Sequence, residues 1–322
     1  MKLVPAASLD IGPPSGEIVD VDGRAAHVIE MGQGRPTVWL ENGWLGTSLG
    51  WEPFQGMLAA HTRVCAYDRA GIAWSDPSDS YRTAQNEAAE FRALLDARGE
   101  DEPVILLAWS GGGPVAQVFA ADYPERVAGL ILMDAIPPGY DLWATQTYPD
   151  RYPCEWQDKL ESIRCFAERA SRGTLRERDI IGWITPETAA RHGARYKRLL
   201  LNNPNFWWTY YWQNQYVFAS GAQVQSRGSL GDLPLRVIVA TAEARCDDAY
   251  QRSLGEMWRA MQYPQARLSS RGRVVPVAAG HAVFREQPQA VIDVVLELIA
   301  EVRRGPDTLP KAARYEIEGD CL

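Results

Sequence analysis

No stretch of the chain approaches the ~20 consecutive apolar residues that a membrane span requires. The first residues, MKLVPAASLDIGPPSGE, hold one lysine and no apolar run of signal-peptide length. A basic excess is missing too. The net charge is −8, and binding to phosphates needs a basic face, so nucleic acid is not an expected partner. Cysteine is sparse and odd in number, at Cys65, Cys154, Cys165, Cys246 and Cys321, with no C-x-x-C pair. Neither a disulfide framework nor a metal site follows from that spacing. Internal repeats and low-complexity segments are absent. The expectation is a cytoplasmic protein without a metal or other cofactor.

What is present suits a large globular core. Hydrophobic residues make up 46% of 322, enough for one large domain or one domain with an insertion. Asp22-Gly23 separates two short apolar runs, Glu17 to Asp22 and Ala25 to Met31, in the manner of a hairpin. Further strand-like runs lie at Pro36 to Leu40, Val64 to Tyr67, Pro103 to Trp109 and Val127 to Met133. A helix is expected over Ala84 to Arg98, where Ala88, Phe91, Leu94 and Leu95 share a face. From about Pro137 to Asp232 there is no strand-like run. Helical stretches fall near Cys154 to Ala170, Pro186 to Leu201 and Asn205 to Ser220. Alternation resumes with a strand at Leu235 to Ala240, a helix at Tyr250 to Gln262, a strand at Val274 to Val277 and a helix at Pro288 to Val302.

Strands alternating with helices imply an α/β fold with a mostly parallel twisted sheet and helices on both faces. The expected division is a core of residues 1–136 and 233–304, an inserted helical cap over 137–232 and a tail over 305–322. Ligands of such sheets bind beyond the carboxyl ends of the strands. Gly43, Asp68, Ser110 and Asp134 would all lie at that edge.

The stretch around Ser110, AWSGGGPVAQVFAADYP, reads as strand, serine, sharp turn and helix. Pro114 fits a first helical turn, and Gly111 to Gly113 mark a turn that side chains would obstruct. Such a turn exposes the serine oxygen at a helix N-terminus whose dipole favours negative charge. Glycine-rich junctions also bind phosphate, but no P-loop lysine follows and the G-x-G-x-x-G spacing is absent.

Four stretches, taken in order, resemble the α/β-hydrolase superfamily over roughly residues 20 to 304. ENGWLGTSLGW (Glu41 to Trp51) is similar to the oxyanion loop, with Asn42 where histidine is commonest. YDRAGIAWSD (Tyr67 to Asp76) resembles the D-R-x-G-x-G-x-S turn, with Ala73 for the second glycine. AWSGG resembles the G-x-S-x-G nucleophile elbow, with Ala108 for the first glycine. AAGHAVFREQP (Ala278 to Pro288) resembles the catalytic-histidine loop. A serine at the elbow disfavours the branches that use an aspartate nucleophile.

The resemblance implies Ser110 as nucleophile and His281 as general base. The other three histidines sit in a hairpin (His27), before a strand (His61) and within an inserted helix (His192), where structural roles are expected. Two positions stand open for the acid that orients His281: Asp134, which ends the strand after the elbow, or the later segment that offers Glu243, Asp247 and Asp248. The oxyanion donors would be the backbone N–H groups of Trp44 and Gly111. Phe206 to Tyr216, FWWTYYWQNQY, is aromatic on every side. Such a helix packs a core or lines a cavity, and Trp208, Tyr211 and Trp212, with Trp109, are expected pocket walls. Arg191, Arg195, Lys197 and Arg198 read as a solvated basic face.

The expected activity is a serine hydrolase that cleaves an ester, thioester or lactone of a bulky, largely apolar or aromatic small molecule. An acyltransferase or cyclase built on the same residues is the alternative within catalysis. A non-catalytic ligand-binding protein on this fold is the alternative outside it. The expected partner is a small-molecule acyl substrate, and homo-oligomerisation is left open.

Overall fold

Burial with a period of two along one central strand sets up the molecule's two hydrophobic layers. In β5 (Val104–Trp109), Leu106 and Ala108 join one buried cluster while Ile105 and Leu107 join the other. The computed structural model describes residues 3–180, 186–242 and 248–305. Glu243, Asp247 and the tail beyond Gly305, all named above, lie outside the described residues.

Eight strands form one sheet. They are β1 (Glu17–Val21), β2 (Arg24–Met31), β3 (Val38–Glu41), β4 (Val64–Tyr67), β5, β6 (Val127–Met133), β7 (Leu235–Ala240) and β8 (Gly272–Val277). Their order is β1-β2-β4-β3-β5-β6-β7-β8. The pairs β1–β2 and β2–β4 are antiparallel, and every pairing from β4 to β8 is parallel. Asp22 and Gly23 both take positive φ (52° and 80°), the backbone of the tight hairpin turn their sequence implies.

The helices are α1 (Glu52–Leu58), α2 (Ala84–Ala97), α3 (Gly113–Asp122), α4 (Tyr140–Thr147), α5 (Tyr152–Ser171), α6 (Glu177–Ile180), α7 (Pro186–Asn202), α8 (Pro204–Gln215), α9 (Val217–Arg227), α10 (Ala249–Gln262), α11 (Val283–Glu286) and α12 (Pro288–Arg304). On one sheet face, Phe91 and Leu95 of α2 and Val118 and Phe119 of α3 meet Trp39, Leu106 and Leu132. On the other, Phe54 and Leu58 of α1 and Val295 and Leu298 of α12 meet Leu40, Ile105 and Ile131. Truncating Phe119, which is fully buried, to alanine would cost about 3–5 kcal/mol.

Between β6 and β7 the described residues are helical, from α4 to α9, with no strand among them. They rest on the loops that leave the carboxyl ends of β3 and β4. Tyr196 donates to the Leu45 carbonyl, Asn203 to Ala73 and Thr209 to Ala70. Two features differ from expectation. The single helix read over Asn205 to Ser220 is two, α8 and α9, broken at Tyr216, whose ψ of 15° leaves the helical range. Helices α1, α4, α6 and α11 are short, carry no long periodic face and lie outside the sequence expectation. No described helix is long and apolar enough to cross a membrane.

Candidate active site

The parallel register places β5 beside β6 with Trp109 opposite Met133, so the residues that follow, Ser110 and Asp134, leave the sheet side by side. Both take positive φ, 52° at Ser110 and 41° at Asp134. Side chains adopt that region at a cost of order 1–3 kcal/mol, and it persists only where surrounding structure enforces it. The glycines after Ser110 are required by close approach, as their sequence suggests, and not by backbone conformation. None of them has positive φ. Each is needed for close approach. A Cβ on Gly111 would come within 2.5 Å of the Trp44 ring, on Gly112 within 2.5 Å of the Asn42 carbonyl oxygen, and on Gly113 within 2.4 Å of the Ala135 methyl.

His281 lies in the loop after β8. Its Nδ1 is 2.6 Å from Asp134 Oδ2, and its Nε2 is 2.9 Å from Ser110 Oγ. The carboxylate can only accept, so Nδ1 carries the proton and Nε2 faces the serine hydroxyl as an acceptor. Asp134 is buried, whereas the His281 side chain is 48% exposed. Two contacts hold the loop. The Gly280 N–H donates to Glu286 Oε2, and the Trp109 indole N–H donates to the His281 carbonyl.

The loop after β3 is braced from below. Arg69 donates to Glu41 Oε1 (2.6 Å), to the Asn42 carbonyl (3.0 Å) and to the Gly43 carbonyl (2.7 Å). Tyr67 donates its hydroxyl to Glu41 as well. Burial pushes the Glu41 carboxyl up to about 7, against the opposing pull of Arg69 and Tyr67. Because a trans peptide is planar, fixing the Gly43 carbonyl towards Arg69 turns the Trp44 N–H the opposite way. Gly43 itself lies against the serine, since a Cβ there would come within 3.0 Å of Ser110 Cβ. Asn42, in the position where histidine is commoner, ties this loop to β4 by donating to the Tyr67 carbonyl.

Of the alternative acids, Asp248 is placed elsewhere. It accepts from the Tyr250 N–H at the start of α10 and pairs with Arg151 at 2.8 Å. The residues expected as pocket walls stand apart from the cavity beside the elbow. A cavity of about 240 Å³ is lined by Trp44, Gly111, Pro114, Ile136, Asp141, Gln213 and neighbours from α2, α4 and α9. Trp109, Trp208, Tyr211 and Trp212 do not line it. The face of α8 that is buried consists of Phe206, Trp207, Tyr210, Gln213 and Asn214. Trp208, Tyr211 and Trp212 fall on the opposite side and pack on one another, on Tyr216 and on Ser171. Trp109 instead flanks His281, ring to ring at 5.2 Å. Arg195 and Lys197 are engaged by the Pro13 carbonyl and by Glu177.

Three polar residues beside the cavity carry no signal in the sequence: Asp141, Tyr152 and Lys159. Tyr152 donates to Asp141 Oδ1 at 2.7 Å. Burial raises the Asp141 carboxyl above its usual range, with the Tyr152 hydrogen bond and the Lys159 charge opposing. Burial likewise lowers the Lys159 ammonium to about 8, with Asp141 opposing. Lys159 lies over the rings of Trp156 (4.4 Å) and Trp44 (5.3 Å).

Comparison with known proteins agrees with this architecture. A non-heme chloroperoxidase of Streptomyces lividans is 30% identical over 150 residues, which is 46% of this chain and 53% of that protein. A 2-hydroxy-6-oxo-2,4-heptadienoate hydrolase of Pseudomonas putida is 28% identical over 130 residues, 39% of this chain and 47% of that protein. The chain thus spans about half the length of these relatives. Among solved structures, the enol-lactonase from Burkholderia xenovorans is 17% identical, with a TM-score of 0.58 over 88% of this chain and 100% of that one, a likeness of fold. The model of the alpha/beta hydrolase family matches residues 38–294, most of the chain, and the protein belongs to that family.

Proposed function

We propose that the protein is a serine hydrolase acting on an ester, thioester or lactone through an acyl-enzyme. The observation that carries this reading is the order of contacts Ser110–His281–Asp134, with the serine and the carboxylate on opposite ring nitrogens. In this scheme Ser110 Oγ attacks the substrate carbonyl while His281 Nε2 takes its proton. Asp134 fixes the tautomer and stabilises the imidazolium that forms. The N–H groups of Trp44 and Gly111 receive the oxyanion, and losing one such donor typically costs about 3 kcal/mol of transition-state stabilisation. His281 then protonates the leaving group. Water, deprotonated by the same ring, cleaves the acyl-enzyme and restores Ser110.

The cavity beside Trp44 and Gly111 serves as the acyl site. At about 240 Å³ it is smaller than the ~300–1,000 Å³ of most small-molecule sites, which favours a compact acyl group over a bulky one. Ala84, Pro114, Val115, Ile136, Leu142 and Val217 make much of its wall apolar. Acyl transfer or cyclisation would require water to be kept from the acyl-enzyme. The half-exposed His281 favours water as the acceptor.

A fluorophosphonate probe tests the reading. The wild type should be labelled on Ser110, and Ser110→Ala and His281→Ala should not. An unlabelled wild type refutes the serine nucleophile. Labelling without turnover of any ester, thioester or lactone refutes hydrolysis.

A further inference from the structure

The cavity wall is asymmetric in charge. Its one cation among the described lining residues, Arg82, is taken up by two carboxylates: it donates to Glu87 Oε1 (3.1 Å) and to both oxygens of Glu90 (2.8 Å each). No lining cation is left to receive an anionic group. Glu87 takes its second bond, from Gln213, on the same Oε1. Asp141 receives the Tyr152 hydroxyl on Oδ1, and no donor from another residue joins it among the described residues. Lys159 feels its charge without closing to ion-pair distance. Asp141 is therefore oriented from one side by Tyr152, and its carboxylate is left short of donors in the wall of a mostly apolar cavity that also touches Gly111.

An alkyl group filling this space would strip water from Asp141 and give nothing back. Such an unmet buried carboxylate is strongly unfavourable. A carboxylate on the substrate would add repulsion. We infer that Asp141 is the specificity-determining residue of the acyl cavity, and that it receives a hydrogen-bond donor, a hydroxyl or a protonated amine, carried on the non-reacting arm of the substrate. The inference rests on the cavity being the acyl site of the proposed hydrolase. Sites built to bond a polar substituent discriminate against the analogue lacking it far more sharply than apolar pockets discriminate by size. Tyr152 acts as a positioning residue, fixing which carboxylate oxygen meets the cavity.

Four p-nitrophenyl esters of equal chain length test this, ending in methyl, hydroxyl, ammonium or carboxylate. For the wild type, kcat/KM for the hydroxyl or the ammonium ester should exceed that of the methyl ester by at least about tenfold, with the carboxylate ester slowest. Which of the two donors leads identifies the arm. In Asp141→Leu the donor-to-methyl ratio should fall to near one, with the methyl ester gaining in absolute terms. In Tyr152→Phe the ratio should narrow, through KM rather than kcat. A wild type that prefers the methyl or the carboxylate ester overturns the inference. So does a donor preference that survives Asp141→Leu. Labelling by a fluorophosphonate with no such arm reports separately on Ser110. Calorimetric binding of the same four esters to Ser110→Ala reads the arm preference without turnover, so failure of the nucleophile and failure of the cavity assignment give different results.

Discussion

Two sets of serine, histidine and aspartate sit in this protein, and their differences explain why only one is suited to chemistry. In the first, His27 Nδ1 is 2.6 Å from Asp68 Oδ2, the same spacing as between His281 and Asp134. Ser48, however, reaches the same side of the ring, 3.3 Å from Nδ1 and 3.1 Å from Asp68 Oδ2. The far nitrogen, Nε2, is occupied by the Gly16 N–H. Ser75 closes the group, accepting the His27 N–H and donating to the Asp68 carbonyl. His27 and Asp68 are wholly buried. Every polar atom is spoken for, so the group pins the first hairpin to the turn after β4. In the second set, serine and carboxylate face opposite ring nitrogens and the histidine is half exposed. The residue types are the same. Which nitrogen the serine meets, and whether a substrate has room to arrive, separates a closed brace from the open group proposed as the reaction centre.

The sharpest way to break that comparison is to remove each serine in turn. Ser110→Ala should abolish fluorophosphonate labelling and lower ester hydrolysis by on the order of 10⁴–10⁶-fold, with thermal stability close to wild type, because alanine keeps the Cβ and so the same backbone strain. Ser48→Ala should keep both the label and the rate, and lose about 1–2 kcal/mol of stability, read as the urea midpoint. Next come the carboxylates. Asp134→Asn should cut kcat by about 10⁴-fold through the wrong histidine tautomer. Asp68→Asn should leave initial rates near wild type at low temperature but cost about 1–3 kcal/mol, as for leaving the buried His27 and Ser48 donors without their carboxylate acceptor. If Asp134→Asn keeps full activity, another acid orients His281.

The smallest expected effect lies in the cavity wall. Burial holds the Asp141 carboxyl above its ordinary 3.8, so the folded state binds that proton more readily than the unfolded chain. The folded state gains from this carboxyl below pH 3.8 and loses that gain as pH rises through the folded value. Asp141→Asn should therefore raise the melting temperature at pH 8, and the difference should shrink as pH falls towards and below 3.8. A variant less stable than wild type at pH 8 would mean that Asp141 is fully compensated in the fold.

Much of this arrangement could be read from local pattern. The strands at Val64 to Tyr67, Val127 to Met133 and Leu235 to Ala240 coincide with apolar runs because both faces of a parallel strand are buried. The turn after Ser110 is visible in its glycines, though their partners are not: contact with Trp44, Asn42 and Ala135 is a tertiary fact. That Asp134 comes to lie against His281 depends on the neighbour relation of β5 and β6, which no local pattern encodes. The buried face of α8 is not legible for a related reason. With aromatic residues all round there is no polar side to mark solvent, so spacing alone could not tell Tyr210 and Gln213 from Trp208 and Trp212. Asp141, Tyr152 and Lys159 are isolated polar residues on two different helices, and only folding makes them a group.

The bond from the Trp109 indole to the His281 carbonyl joins residues 172 positions apart. It ties the strand that presents the serine to the loop that presents the histidine, without passing through β6, β7 or β8. A chain still emerging from synthesis holds Ser110 early, but has neither His281 nor this tether until the loop after β8 docks. On the proposed reading Ser110 meets its base only once the loop after β8 has docked, and turnover would then report that β8 is in place.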